Sequence, residues 1–260
     1  MRLNTVTKIL LGGAFTLAAN VSIAHDGGVI DICPDDASRA LIHNSLELLL
    51  KDAQSKDNGG FGFDMWGAVV NRDGVVCAIA HTGADRADQW PGSRVIAAQK
   101  ANTANAFSLP QFALSTANLW EATQPGGSLF GLQFSNPVDT SVAYGGNSSD
   151  IGTVHDPMVG KKIGGVNVFG GGLALYDSTG TLLGAMGVSG DSSCADHNIA
   201  WRVRYAAEMD YVPSGPSPVG NDQIIYQGET GSGAPGFEHV DCGHTEKTVN
   251  ASLPGTRTVP

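Results

Sequence analysis

Two segments of this chain read as strand–turn–strand, and together they restrict the fold more than any other feature. The first spans residues 66–80 around Asn71-Arg72-Asp73-Gly74, and the second spans residues 173–188 around Asp177-Ser178-Thr179-Gly180. Each turn pairs side chains that hydrogen-bond their own backbone with a glycine that takes positive φ at no steric cost. The arms are rich in Val, Leu, Ile and Ala, as strands covered on one or both faces are. Outside them the apolar period lengthens. Leu41, Ile42, Leu46, Leu49, Leu50 and Ala53 recur at helical spacing after Pro34, with Asp35 or Asp36 to cap the start and Asp57-Asn58-Gly59-Gly60 to end the run. Between the hairpins the pattern predicts a helix over residues 93–107, capped by Ser93, and a shorter one over about 114–122. A last helix, residues 195–209, follows Ser192 or Ser193 as cap. The order helix, hairpin, helices, hairpin, helix predicts an α+β domain: one antiparallel sheet with helices packed on it.

The ends separate from this domain. Arg2 and Lys8, a short apolar run over residues 9–19, and Ser22-Ile23-Ala24 have the order of an export signal peptide, residues 1–24. The run is shorter than the ~20 residues a membrane span needs. The expected working protein starts near His25 and is periplasmic or secreted. Its domain covers residues 25–212, and an irregular Pro- and Gly-rich tail covers 213–260. The formal net charge of −10 argues against nucleic acid or an anionic membrane as partner. Cys33, Cys77, Cys194 and Cys242 are an even set in an exported chain, which reads as up to two disulfides. Zinc-type spacing is absent. All three pairings stay open, although joining Cys33 to Cys242 or Cys194 would tie down a terminus.

Catalytic signatures are sparse. There is no Walker A or HExxH, and Gly187-Val188-Ser189-Gly190-Asp191 misses the nucleophile elbow at its last position. Two stretches carry more. In the first, Ser189-Gly190 turns into a helix start bearing Cys194 and Asp196, where free backbone amides favour a carboxylate or a haem propionate. The alternative is a plain turn, with Asp196 complementing the helix dipole. In the second, Lys100 stands alone among small residues 97–104. Either it snorkels to solvent, or it meets an acidic ligand or Asp196. Gly170-Gly171-Gly172 precedes a strand, so it serves close backbone approach.

Lys100-Ala101-x-Thr103-Ala104, Gly170-Gly171-Gly172, and Gly187-Val188-Ser189-Gly190 with Asp196 and Ala200 occur in an order that resembles the GlcG/HbpS family, over about residues 35–210. That family is related to the C-terminal domain of PduO and is called haem-binding or haem-degrading. The resemblance implies an antiparallel sheet of about five strands flanked by helices in profilin-like α-β-α layers. It also implies assembly into homo-oligomers and a haem or iron ligand. The loop 81–91, the stretch 124–162 and the tail after Pro213 depart from the family pattern.

The expected ligand site is then Lys100, Thr103, Ser189, Gly190 and Asp196. His81, His155 and His197 are the candidate iron ligands, because an imidazole binds through one nitrogen while a carboxylate fixes the other. His43 reads as a solvent residue, and His25 could chelate copper at a new N-terminus. His239, Asp241, Cys242 and His244 look metal-like, or mark a disulfide at Cys242. Two rival functions remain. One is an enzyme acting on a small organic acid with Lys100 and Asp196 as acid–base pair. The other is a structural or sensory oligomer assembled through residues 124–162.

Overall fold

The computed structural model describes residues 29–228 and 236–259. The leader over residues 1–24 and His25 lie outside the described residues. Helix α1 (Asp36–Gln54) begins at Asp35, whose carboxylate accepts from the Ser38 amide at 2.8 Å. Strands β1 (Trp66–Asn71) and β2 (Val76–His81) form the first hairpin. Helix α2 (Ser93–Phe107) follows, with Gly92 rather than Ser93 at its cap. After the short helices α3 (Leu132–Ser135) and α4 (Thr140–Ala143), β3 (Gly172–Tyr176) and β4 (Leu182–Ser189) form the second hairpin. Helix α5 (Ser193–Ala206) runs from Ser192 as cap, and α6 (Glu246–Ser252) lies in the tail.

The hairpins join through β1 and β4 into one antiparallel sheet of order β2-β1-β4-β3. The sheet has four strands, not about five. Where another strand would add to β2, residues 160–162 make a single bridge between Lys162 and Val75, and Lys161 O accepts from the Val76 amide. Gly160, Gly164 and Gly165 all have positive φ there, which breaks an extended run.

Alternation along the strands sends side chains to two cores. Leu46, Leu50, Val69, Met186, Val188, Ile199 and Trp201 pack between the sheet and the α1/α5 layer. Trp66, Ala68, Val70, Ile79 and Ala185 meet α2 through Ala97, Ala98, Ala101 and Ala104. The α2 contact is unusually close. A Cβ at Gly187 would stand 2.0 Å from Ala97 O, and one at Gly172 would stand 2.5 Å from Lys100 O. The small-residue helix and the strand glycines thus bring two backbones together, which larger side chains would prevent.

Three other expectations shift. The helix over 114–122 is two 3₁₀ turns, Ala117–Leu119 and Glu121–Thr123. Asn118 Oδ1 accepts from both the amide and the hydroxyl of Ser115, a local bond that competes with helix. Helix α5 stops at Ala206, two residues before Glu208 at φ 55°. The tail is not wholly irregular: besides α6, it packs Asp222 against Arg204, with both side chains fully buried and N–O distances of 2.6 and 2.7 Å.

The disulfides are Cys33–Cys77 and Cys194–Cys242, with Cα atoms 5.6 and 6.1 Å apart. Neither pairing suggested for Cys33 at the sequence level occurs. Cys33 leads into α1, which packs on the first hairpin, so Cys77 of β2 is the cysteine in reach. Cys194 lies in the first turn of α5, where the tail returns. Among the described residues, no helix is long and apolar enough to cross a membrane.

Candidate functional site

The close seating of α2 on β4 carries Lys100 inward to Asp196 on α5. Lys100 Nζ lies 2.7 Å from Asp196 Oδ2 and 3.1 Å from Val188 O, and both side chains are buried. The other carboxylate oxygen accepts from the Asp191 amide at 2.9 Å. Burial raises the Asp196 carboxyl to about 6, against the opposing pull of Lys100. Ser189 and Gly190 end β4 beside this pair, and Gly190 takes φ +157° against Asp64 O. Thr103 stands apart: its hydroxyl donates to Gln99 O at 2.7 Å and accepts from the Asn167 amide at 2.9 Å. The arrangement brings together Lys100, Asp196 and the Ser189–Gly190 turn, and uses Thr103 to hold the segment before β3.

The start of α5 is supplied with anions by the chain itself. Ser192 Oγ accepts from the Ala195 amide, and donates to Glu246 Oε1 at 2.6 Å. Glu246 is buried and also accepts from the His244 amide at 3.0 Å. Asp191 accepts from the amides of Ser192 at 2.6 Å, Phe61 at 2.9 Å, Gly62 at 2.8 Å and Phe63 at 3.2 Å.

The three candidate histidines do not converge. His81 packs its ring edge-on against Trp66 and bonds through Nδ1 to Gly83 O at 3.1 Å. His155 is exposed, and its neighbour Asp156 is turned to Arg94 and to the amides of Gly152 and Met158. His197 is buried: its Nε2 accepts from the Ile224 amide at 3.2 Å, and its Nδ1 has no partner among the described residues. His43, expected in solvent, is buried and bonds to Ile79 O at 2.8 Å, because α1 turns it toward β2.

A further histidine, His239 of the tail, is also buried. Its Nδ1 donates to Val240 O at 2.7 Å, which leaves Nε2 to accept from the Gly170 amide at 3.3 Å. It lies with Cys194 and Cys242 in a group of metal-ligand type. With the sulfurs joined, neither is the thiolate that ligates a metal.

These burials give a pH prediction. Burial pushes His239 down to about 4, and His197 far below its ordinary value. Both are neutral in the fold, while the unfolded chain protonates them below 6.5. Their contribution is therefore present above pH 6.5 and lost as pH falls, about 3 kcal/mol for His239 alone. Asp196 acts in the opposite sense: its raised value favours the fold below 3.8, and this is lost as pH rises through about 6. Two histidines outweigh one carboxylate, so the urea midpoint should be lower at pH 5 than at pH 7.5. His239→Gln should flatten the slope. Equal midpoints would contradict the assignment.

One exposed feature stands beside the α5 start. Phe61, Phe63 and Trp90 are 57, 41 and 60 % exposed. Phe61 and Phe63 stack with centroids 5.3 Å apart, and Trp90 lies 5.7 Å beyond Phe63. His244 meets Phe61 at 4.5 Å with its plane at 73°. Asp191 fixes the backbone of residues 61–63. A Cβ at Gly60 would collide with its carboxylate at 2.3 Å. The rings are thus exposed on a rigid support. A cleft of about 80 Å³ adjoins them, lined by Lys56, Asn58, Phe63 and Asp191 among others. It is too small to enclose a ligand of ordinary size, for which sites run to ~300 Å³ or more. These residues carry little signal in the sequence. The one that exists is Gly60-Phe61-Gly62-Phe63, two aromatics alternating with glycine in a polar linker.

Comparison with known proteins adds a family. Residues 46–203 match the model of haem degrading protein HbpS-like. No curated protein matches the chain. Among solved structures, a PduOC:haem complex is 21% identical, with 68% of this chain and 95% of that chain covered and a TM-score of 0.43. Klebsiella pneumoniae protein ORFY, of family DUF336, is 20% identical over 65% and 88% of the two chains, with a TM-score of 0.44. HbpS is 17% identical over 64% and 86%, with a TM-score of 0.39.

Proposed function

This chain belongs to the HbpS-like family of haem-degrading proteins, and from that membership we propose that it binds haem. The match carries the reading, because it spans the whole sheet together with α2 and most of α5. The donor chemistry of the chain fits the group. Imidazole is a common haem ligand, and exposed aromatic faces suit a planar macrocycle. When bound, haem supplies an iron centre for ligand or redox chemistry. The chain supplies the surface, the iron donor and a cation for a propionate.

Buried geometry favours binding over catalysis by Lys100 and Asp196. An acid–base pair must come within hydrogen-bond reach of a substrate proton. These two are buried and bonded to each other and to backbone. They brace α2, β4 and α5, and the ligand lies at the surface. We also place the working protein outside the cytoplasm; the leader-like N-terminus and two disulfides support this.

Titrating ferric haem into the full chain tests the reading. A shifted Soret band that saturates at micromolar haem is expected. A spectrum that stays the sum of protein and free haem at that concentration would refute it.

A further inference from the structure

We propose that His244, on the tail beyond the family-matched segment, is the axial ligand to haem iron, and that Phe61, Phe63 and Trp90 form the wall on which the macrocycle rests. The proposal rests on the haem-binding reading above.

Three features of this surface point to a metalloporphyrin. The first is the donor. His244 is exposed, and only its backbone amide is hydrogen-bonded, to Glu246; its ring nitrogens have no hydrogen-bond partner among the described residues. An imidazole so placed is available to iron. His239 and His197 are buried and bond through ring nitrogens to backbone.

The second is orientation. Phe61 and Phe63 stack on each other with planes 14° apart and Trp90 is tilted 42° to Phe63, so the three rings make a stepped apolar face in which the Phe61–Phe63 pair sets one stacking direction. The imidazole stands at 73° to Phe61, so a macrocycle laid along that ring would meet the imidazole edge-on.

The third is charge. Lys56 lines the cleft beside Phe63, and among the described residues its ammonium meets only the exposed Asp52, in a surface pair that is worth little. A propionate can replace that partner. The acids on the same cleft are turned to backbone: Asp57 accepts from the Gly59 amide, and Asp191 from the amides of residues 61–63.

The support is built to last. Asp191 holds the Phe61–Phe63 backbone, Trp66 Nε1 donates to Trp90 O at 3.1 Å, and Glu246 and Cys242 fix the chain on either side of His244. Such a frame spares the ligand much of the ordering penalty of binding.

Ferric haem titrations of the full-length protein, His244→Ala, His244→Gln and Phe61→Ala/Phe63→Ala test this, with thermal melts to show that each variant is folded. The wild type should give the spectrum of a histidine-ligated haem. Both His244 variants should bind at least tenfold more weakly with altered visible bands, and added imidazole should restore the bands. The double phenylalanine variant should weaken binding while keeping the bands. If the His244 variants bind with unchanged spectrum and affinity, the ligand assignment fails while haem binding stands. A loss that falls instead on His81→Ala or His155→Ala overturns it in the same way. If the wild type binds no haem, the underlying reading fails as well. A dimer that haem does not disturb, and that Phe61→Ala/Phe63→Ala dissociates, would give the wall to a second copy and overturn the proposal.

Discussion

Lys100→Ala should destabilise this protein by about 3–5 kcal/mol, the range for removing one partner of a buried ion pair. Asp196 would be left buried with only the Asp191 amide as partner. Its carboxyl, already raised by burial, would rise further. The loss has a structural signature. Lys100→Met with Asp196→Leu should recover most of the stability, since well-packed apolar groups often replace a buried pair at little cost. Urea unfolding of the single and double variants measures both. A single variant within about 1 kcal/mol of wild type would show that the pair is solvated in solution.

Cutting the tail bridge is the second large effect. Cys194–Cys242 closes a separation of 48 residues, for which loop entropy gives about 4 kcal/mol. Cys194→Ala/Cys242→Ala should lower the stability by that order. It should also weaken haem binding more than the loss of fold explains, because Glu246 and His244 lose their anchor to the α5 start. The melting temperature, together with a haem titration run well below it, separates the two effects. Unchanged haem affinity in the folded variant would mean that the tail positions no ligand.

Much of the fold was legible because it rests on local chemistry. Asn71–Gly74 and Asp177–Gly180 turn where their residue types demand, and Asp35 and Ser192 cap where they should. The Lys100–Asp196 pairing could be anticipated, since a lone lysine in a small-residue face needs an acid. The rest depends on contacts distant in sequence. Asp191 orders Phe61 across 130 residues, and nothing near either residue signals it. Glu246 reaches Ser192 from the tail, so a helix start that reads as free is already occupied. The burial of His43 and His239 follows from which way α1 and the tail turn, and the helical period of α1 put His43 off its main apolar face. The strand count failed for a nearer reason: three left-handed glycines interrupt the segment beside β2.

The two disulfides join neighbours along the chain, first with second and third with fourth. Neither loop encloses or crosses the other. A chain oxidised as it emerges, N-terminus first, can therefore close Cys33–Cys77 before Cys194 is exposed, and no wrong partner is then at hand. The first hairpin is stapled to α1 while the second is still unmade. For an exported chain, as proposed above, correct pairing would follow the order of arrival and need little reshuffling.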